Sequence, residues 1–287
     1  ILVDDEVTEN IASIYEKEGS DCWFSDDPQR FLGNKYKVED YEKLSDIVEV
    51  WFDSGSTHSF VLEKRDDLKW PASMYLEGSD QHRGWFHSSL LESCGTRGRA
   101  PFESILSHGF VVDGKGLKMS KSLGNVIAPE DILKKYGADI LRIWVASSNY
   151  AEDLRIDYSI LDQHAESYRK IRNTFRYLLG NINDNFENID LEKINISELP
   201  ELEQFMLHKM FILNEKFKKY FDNYDFHNSY KELLNFCTVD LSAFYFDIRK
   251  DNLYCDTKDS KKRKSTITLL NIILNSLLKW FAPILSF

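Results

Sequence analysis

The chain has 287 residues, and at about 150 residues per domain this length predicts two domains. Hydrophobic residues make up 43% and charged residues 29%, a balance that excludes a disordered chain and is typical of a folded globular protein. The net charge of −11 gives no support to nucleic-acid binding through total charge, although a local basic patch can still contact phosphates. No apolar run approaches the roughly 20 residues of a membrane helix, so no association with a membrane is expected. The four cysteines include no CxxC pair, which predicts reduced thiols and a cytoplasmic protein.

Residues 1–150 mix short apolar runs with glycine and proline, a pattern typical of strands that alternate with helices. The predicted elements are, in chain order, a helix over Val3–Ile14, a strand over Asp46–Phe52, a strand over Met74–Glu77, a helix over Gln81–Ser93, and a strand over Ile105–Val112 that leads into a tight turn at residues 113–116. Strands that alternate with helices predict a parallel sheet, and ligands bind at the carboxyl ends of the strands in such sheets. Residues 77–81 are expected to lie at such an end.

A further helix is predicted to begin at Pro129, because proline fits the first helical position and the acidic Glu130 and Asp131 favour the positive end of a helix. Gly137 is expected to end this helix, and residues 140–145 form one face of the next. From residue 155 onward the chain is almost free of glycine, and apolar side chains recur at helical spacing. This half is predicted to be a bundle of four or five long helices with an apolar core.

The change in pattern near Glu152 predicts a domain boundary. We expect residues 1–152 to form an α/β domain and residues 153–287 to form an all-α domain. The fold class predicted for the whole chain is therefore α/β plus all-α.

Two lysines and two serines lie together in the segment Lys118-Met119-Ser120-Lys121-Ser122, which follows the predicted turn and precedes a helix. A mobile cationic loop of this kind suits a polyphosphate whose charge shifts as a bond breaks. The segment is not a P-loop, since GxxxxGK[ST] occurs nowhere in the sequence. Taken alone, these five residues fit a solvated basic loop equally well.

The longer segment of residues 118–125, KMSKSLGN, resembles the second signature sequence of class I aminoacyl-tRNA synthetases. Other segments are similar to the isoleucyl-tRNA synthetases of the bacterial type within that class: VWFDSGSTH at residues 50–58, YLEGSDQHRGWFHSSLL at 75–91, SHGF at 107–110 and DLSAFYFDIRKDNLYCD at 240–256. The run at residues 80–85, DQHRGW, separates these enzymes from the sister valyl and leucyl enzymes. Glu49 departs from the family, which often has Asp there, but it precedes the motif.

The resemblance implies the C-terminal half of a Rossmann-like catalytic domain, residues 1–152, followed by a truncated helical anticodon-binding domain, residues 153–287. It implies that isoleucine reacts with ATP to give isoleucyl-adenylate and pyrophosphate, and that the aminoacyl group then passes to tRNA(Ile). Mg²⁺ is expected to arrive with ATP, and the histidines are not expected to bind a metal because their spacing matches no metal motif. The resemblance also implies a monomeric parent protein.

The resemblance assigns roles to residues in three of these segments. Catalysis is assigned to Lys118, Ser120, Lys121 and Ser122. Contact with isoleucyl-adenylate is assigned to Trp51, Glu77, Gly78, Asp80, Gln81 and Trp85, with the two indoles as walls of the isoleucine pocket. Contact with ATP is assigned to Lys121 first and Lys118 second, with Met119 and His108 at the adenine.

Plainer interpretations stay open for several of these residues. Glu77 and Asp80 could cap a helix, and Trp51 and Trp85 could be ordinary core residues. The basic run at residues 258–264, KDSKKRK, is either a solvated loop or a contact for tRNA phosphates.

The HIGH-type tetrad, which forms the other half of the family's active site, does not occur in this sequence. The family's editing domain and its zinc-binding C-terminal tail have no counterpart here either. We therefore expect a segment of a longer enzyme, one that does not form the adenylate by itself. The alternatives are a non-catalytic tRNA-binding or interaction protein on a synthetase scaffold, and a sister valyl or leucyl synthetase.

Overall fold

The structure is a computed structural model that describes residues 1–182 and 194–287. These residues fall into two compact units, the first made of residues 1–75 and 80–104 and the second of residues 76–79 and 105–287. The units divide the chain at other positions than the change in pattern near Glu152, and the domain boundary at that residue stays a prediction.

The first unit consists of short helices, which are α1 (Asp5–Glu18), α2 (Cys22–Ser25), α3 (Gln29–Leu32), α4 (Val50–Gly55) and α5 (Trp85–Arg97). The helix predicted over Val3–Ile14 is confirmed as α1, which begins later because the Asp4 carboxylate accepts hydrogen bonds from the first backbone N–H groups. Ile14 packs with Cys22 and Phe31 in a small core. The helix predicted over Gln81–Ser93 is confirmed as α5, preceded by a 3₁₀ turn at Ser79–Arg83.

The strand predicted over Asp46–Phe52 is wrong. Residues 41–49 have no regular structure, and α4 begins at Val50. The Glu49 carboxylate accepts a 2.7 Å hydrogen bond from the backbone N–H of Trp51 and so caps the helix. Ile47 is 77% exposed, which shows that the apolar residues of this run are not the buried face of a sheet.

The strands lie mainly in the second unit. Strand β1 (Tyr75–Gly78) pairs with β2 (Ile105–His108), and β3 (Val111–Asp113) pairs in parallel with β4 (Leu154–Ile156). The predicted strand over Met74–Glu77 is therefore confirmed. The single strand predicted over Ile105–Val112 is two strands, because the backbone N–H groups of Gly109 and Phe110 bond to Tyr150 and Asp153 instead of continuing one ladder. Where one parallel sheet was predicted, the described residues form two separate two-stranded sheets.

The helices predicted after the basic loop are confirmed. Helix α6 (Pro129–Tyr136) starts at the proline and stops at Gly137, whose φ of 83° suits a residue without a Cβ atom. Helix α7 (Ala138–Ser147) follows directly and buries Ile140, Ile143 and Trp144. Ile140 and Trp144 pack with Ile132 and Leu161 in a small core that supports the segment between β3 and α6, whereas Ile143 belongs to the core of the helical bundle.

The predicted helical bundle is confirmed in the second unit. It contains α8 (Tyr158–Ile182), α9 (Glu201–Asp222), α10 (Phe226–Asn235), α11 (Phe246–Tyr254) and α12 (Lys261–Phe281). A π-helical stretch over Phe236–Tyr245 joins α10 to α11 without a break in the helix. The helices enclose a core of aliphatic and aromatic side chains, and Leu178, Met206, Leu233 and Leu277 are fully buried in it.

A buried ion pair crosses this bundle core. The Arg249 guanidinium donates two hydrogen bonds, of 2.7 and 2.6 Å, to the two carboxylate oxygens of Glu203, which is fully buried. The Tyr245 hydroxyl donates a third, of 3.0 Å, to the same carboxylate. The pair thus joins α9 to α11 by geometry that satisfies both charges. Among the helices that the structure describes, none has the length and apolar character to cross a membrane.

Candidate functional site

Two tryptophans of the first unit lie beside the start of α5. Trp85 stacks on Tyr75 with ring centroids 4.4 Å apart, and its indole nitrogen donates a 2.8 Å hydrogen bond to the backbone oxygen of Ser54. Trp51 is 42% exposed, so its indole can meet a ligand. A Cβ atom on Gly84 would lie 3.5 Å from the Trp51 ring and 2.8 Å from the Gln81 amide oxygen. This close approach favours glycine at position 84.

The polar residues before α5 form a short chain of hydrogen bonds. The Gln81 side-chain oxygen accepts a 3.0 Å bond from the backbone N–H of Trp85, and its amide nitrogen donates a 3.0 Å bond to the Asp80 carboxylate. Gln81, rather than Asp80, therefore satisfies the first N–H group of α5. The Asp80 carboxylate is exposed and keeps one oxygen for a donor on a ligand.

The other two residues predicted to contact the adenylate, Glu77 and Gly78, lie in the second unit, and so do the two predicted to contact the adenine of ATP, His108 and Met119. Glu77 is exposed on β1, and Gly78 is buried at the end of that strand. His108 is half-buried at the end of β2, where its Nδ1 lies 2.8 Å from the backbone oxygen of Gly109. Met119 packs against the core around Ile132. Their roles toward a ligand stay predictions.

The basic loop presents two unpaired cations. Lys118 and Lys121 are exposed, and no carboxylate in the parts of the chain that the structure describes pairs with either ammonium. The hydroxyl oxygens of Ser120 and Ser122 lie 3.1 Å apart. Gly124 adopts a φ of 65° and turns the chain at the end of the loop. Such a loop offers charge and hydroxyl donors to an anion.

Asn125 and Asp113 hold this loop, and the sequence alone gave them no role beyond their places in a motif and a turn. The Asn125 side-chain oxygen accepts a 2.9 Å hydrogen bond from the Ser120 backbone N–H. Its amide nitrogen donates a 2.8 Å bond to the Asp113 carboxylate on β3. This bond and those from the backbone of Leu117 and Lys115 lower the pKa of Asp113. The sequence features that could have identified these two residues are an Asp at the end of a predicted strand and an Asn at the end of the basic loop.

The basic run of residues 258–264 lies at the start of α12, which begins at Lys261 and is capped by Ser260. Lys258, Lys261 and Lys262 are exposed, and the first turn of the helix contains no acidic residue. Cations are disfavoured at this positive end of a helix. Lys264 pairs with Asp259 at 3.1 Å, whereas Lys258, Lys261 and Lys262 have no carboxylate at ion-pair distance among the described residues. Within residues 1–182 and 194–287, no group of three or more His, Cys, Asp or Glu side chains could hold a metal ion.

Curated relatives match the whole chain. It is 84% identical to the isoleucine–tRNA ligase of Pelagibacter ubique over 287 residues, which are 32% of that protein. It is 50% identical to the isoleucine–tRNA ligase of Mesorhizobium japonicum, of which it covers 28%. The chain thus spans about a third or less of the length of these relatives.

Solved structures share the fold at low sequence identity. A methionyl-tRNA synthetase of Mycobacterium tuberculosis, in complex with methionyl-adenylate, matches 80% of this chain and 46% of its own, with a TM-score of 0.65 and 17% identity. A leucyl-tRNA synthetase of Agrobacterium radiobacter K84, solved with tRNA and LeuAMS, matches 75% of this chain and 26% of its own, with a TM-score of 0.60 and 18% identity.

Two family patterns match separate parts of the chain. Residues 203–287 match the anticodon-binding domain of tRNA ligases. Residues 1–157, more than half of the 287, match the family described as tRNA synthetases class I (I, L, M and V). The fold class predicted from the sequence is confirmed by these matches. Because the match to residues 1–157 covers more than half of the chain, the chain belongs to the class I tRNA synthetases.

Proposed function

We propose that this chain works within an isoleucine–tRNA ligase, which uses ATP to join isoleucine to tRNA(Ile). The observation that carries the proposal is the 84% identity with the Pelagibacter ubique ligase over all 287 residues. A protein that had only kept the scaffold would be free to lose the exposed lysines at positions 118 and 121, and both are present.

The proposed reaction has two steps. A carboxylate oxygen of isoleucine attacks the α-phosphorus of ATP, the bond from that phosphorus to the bridging oxygen breaks, and pyrophosphate leaves with its Mg²⁺. A terminal ribose hydroxyl of tRNA then attacks the carbonyl carbon of isoleucyl-adenylate, and AMP leaves. Neither step needs a nucleophile from the protein, so the chain's own groups position reactants and stabilise charge.

The residue roles follow from the chemistry of each group. Lys121, with Lys118, stabilises negative charge that builds on the β- and γ-phosphates as pyrophosphate departs. Ser120 and Ser122 donate to the same oxygens. In the first unit, Trp51 and Trp85 offer apolar surface to the isoleucine side chain, while Asp80 accepts from a hydroxyl or ammonium group of the adenylate. Glu77 is proposed to bind the adenylate, with Met119 and His108 at the adenine.

The test is isoleucine-dependent exchange between ATP and labelled pyrophosphate. The 287-residue chain is compared with a chimera in which it replaces the matching 32% of the Pelagibacter ubique ligase. We expect exchange by the chimera, with isoleucine preferred over valine and leucine, and no exchange by the chain alone. A chimera that folds but catalyses no pyrophosphate exchange with any of the three amino acids would exclude the proposed activity. A preference for valine or leucine would instead indicate a segment of a valyl or leucyl enzyme.

The lysines at the start of α12 are proposed to contact tRNA phosphates. Their exposure at a helix end that disfavours cations supports this proposal over a solvated loop. Replacing Lys258, Lys261 and Lys262 with alanine should weaken tRNA binding and reduce the slope of log K against log salt by about 1 for each phosphate that is no longer neutralised. A control variant replaces the exposed residues Lys17, Lys37 and Lys64. Equal slopes for both variants would exclude a specific contact at α12.

A further inference from the structure

The side chain of Asn125 bonds to both sides of the basic loop. Its oxygen accepts the 2.9 Å hydrogen bond from the backbone N–H of Ser120. Its nitrogen donates a 3.2 Å bond to the backbone oxygen of Lys118 and a 2.8 Å bond to the Asp113 carboxylate. One amide thus connects Lys118 at the start of the loop, Ser120 in its middle and Asp113 on strand β3.

The other bonds of the loop's second half are local. Leu123 donates its backbone N–H to the Ser120 hydroxyl at 3.3 Å, and Gly124 donates to the backbone oxygen of Lys121 at 3.2 Å. These bonds hold the loop to itself, not to the sheet. The Lys118 side of the loop has its own attachment through a bridge to Val112. Among the hydrogen bonds that the structure describes for residues 120–125, the one that reaches β3 is made by the side chain of Asn125.

Asp113 is a firm anchor for this bond. Its other carboxylate oxygen accepts from the backbone N–H groups of Lys115 and Leu117 at 2.9 and 2.8 Å. It ends β3, where it pairs with Ile156 of β4 in a parallel ladder. With both oxygens engaged and the backbone held in a sheet, the carboxylate has little freedom to follow the loop.

We propose that Asn125 and Asp113 are positioning residues, which hold the segment Lys118–Ser122 so that its two ammonium groups meet the departing pyrophosphate. This rests on the function proposed above. Neither residue needs to touch ATP. Their effect is to remove the cost of ordering an exposed loop at the moment when charge develops, and a displacement of about 1 Å in such a loop can cost roughly 100-fold in rate.

The chemistry of an amide makes the proposal specific. Asn125 donates to a carboxylate and accepts from a backbone N–H with the same group. The isosteric Asn125→Asp keeps the shape, but it loses both donated bonds and faces Asp113 with a second negative charge. The reciprocal change, Asp113→Asn together with Asn125→Asp, restores a donor and an acceptor between the two positions with their roles exchanged.

The experiment measures both reaction steps in the chimera described above. We expect Asn125→Asp to lower kcat of pyrophosphate exchange by about 30- to 100-fold, with KM for isoleucine unchanged. Transfer of isoleucine from preformed isoleucyl-adenylate to tRNA should stay within about twofold, because pyrophosphate is absent from that step. The reciprocal double variant should recover at least about tenfold of the loss, which a merely structural defect would not. Equal loss in both steps, or no recovery, would overturn the proposal.

A second measurement is independent of activity. Trypsin cleaves after Lys118 and Lys121, and the 287-residue chain carrying Asn125→Asp should be cut there several-fold faster than the wild type. Asn34→Asp makes the same chemical change at an exposed asparagine of the first unit and should leave the rate unaltered. If the wild-type chimera shows no exchange, the proposed function fails while this cleavage still decides whether Asn125 holds the loop. Equal cleavage of wild type and Asn125→Asp would refute the role of Asn125.

Discussion

The indole nitrogen of Trp85 donates a 2.8 Å hydrogen bond to the backbone oxygen of Ser54 in α4. The same indole stacks on Tyr75 at a centroid distance of 4.4 Å. A stacked ring that is also hydrogen-bonded at its edge has a single orientation, because rotation breaks the stacking or the hydrogen bond. Trp85 is therefore a rigid surface at the start of α5.

Replacing Trp85 with Phe tests this relationship. The substitution keeps a ring against Tyr75 but leaves the Ser54 oxygen without its donor, a loss of about 1–1.5 kcal/mol in a typical case. In the chimera we expect KM for isoleucine to rise about tenfold and KM for ATP to stay the same. Trp23→Phe is the matched control, since Trp23 also donates its indole N–H to a backbone oxygen, that of Leu44, in the same unit. Equal changes in both variants would contradict a role for Trp85 in the isoleucine pocket.

Lys121 gives a prediction on the rate of the first step. Lys121→Ala should lower kcat of pyrophosphate exchange by about 100- to 1000-fold, because it removes the charge that we propose stabilises the developing pyrophosphate. Lys134→Ala removes a lysine of α6 that is also exposed and should change kcat less than twofold. The rates come from steady-state exchange at saturating isoleucine. An unchanged kcat in the Lys121 variant would show that Lys121 does not stabilise the departing pyrophosphate.

Sequence periodicity predicted the elements whose structure depends on neighbouring residues. Helix α6 begins at Pro129 and ends before Gly137 as expected, and α8 buries Leu161, Ile171 and Leu178 along one face. These features follow from local rules on caps and spacing, which a sequence displays directly. The bundle and the order of its helices were predictable for the same reason.

The differences from the predicted strands have two kinds of cause. The strand expected over Asp46–Phe52 is wrong for a local reason, because Glu49 caps a helix there. The other differences depend on contacts distant in sequence. The break at Gly109 depends on Tyr150, which lies 41 residues later and whose backbone oxygen accepts the Gly109 N–H. The bond from Asn125 to Asp113 spans 12 residues and links a loop to a strand. No spacing rule within either segment predicts such pairings.

The buried ion pair gives a prediction on stability. Arg249→Leu should destabilise the second unit by about 3–5 kcal/mol, because the Glu203 carboxylate would stay buried without a countercharge. Adding Glu203→Leu should recover most of that loss. The exposed pair of Arg169 and Glu166 is the control, where Arg169→Leu should cost less than about 1 kcal/mol. Urea unfolding followed by circular dichroism measures all three, and a double variant no more stable than Arg249→Leu would contradict the argument.

Asp4 gives a prediction on pH dependence. Hydrogen bonds from the Lys35 ammonium and the Tyr36 hydroxyl lower the pKa of Asp4 to about 2. The unfolded-state pKa of an aspartate is about 3.9, so the stabilisation is fully present above that pH and is lost as the pH falls toward 2.

Asp4→Ala should therefore lower the midpoint of thermal unfolding at pH 6, since it also removes the cap of α1. The difference from wild type should shrink as the pH falls from 4 to 3. Asp4→Asn keeps a capping side chain without the charge, so it should lie between the two at pH 6 and approach the wild type in acid. A difference between Asp4→Ala and wild type that is constant from pH 6 to pH 3 would show that the charge of Asp4 does not contribute.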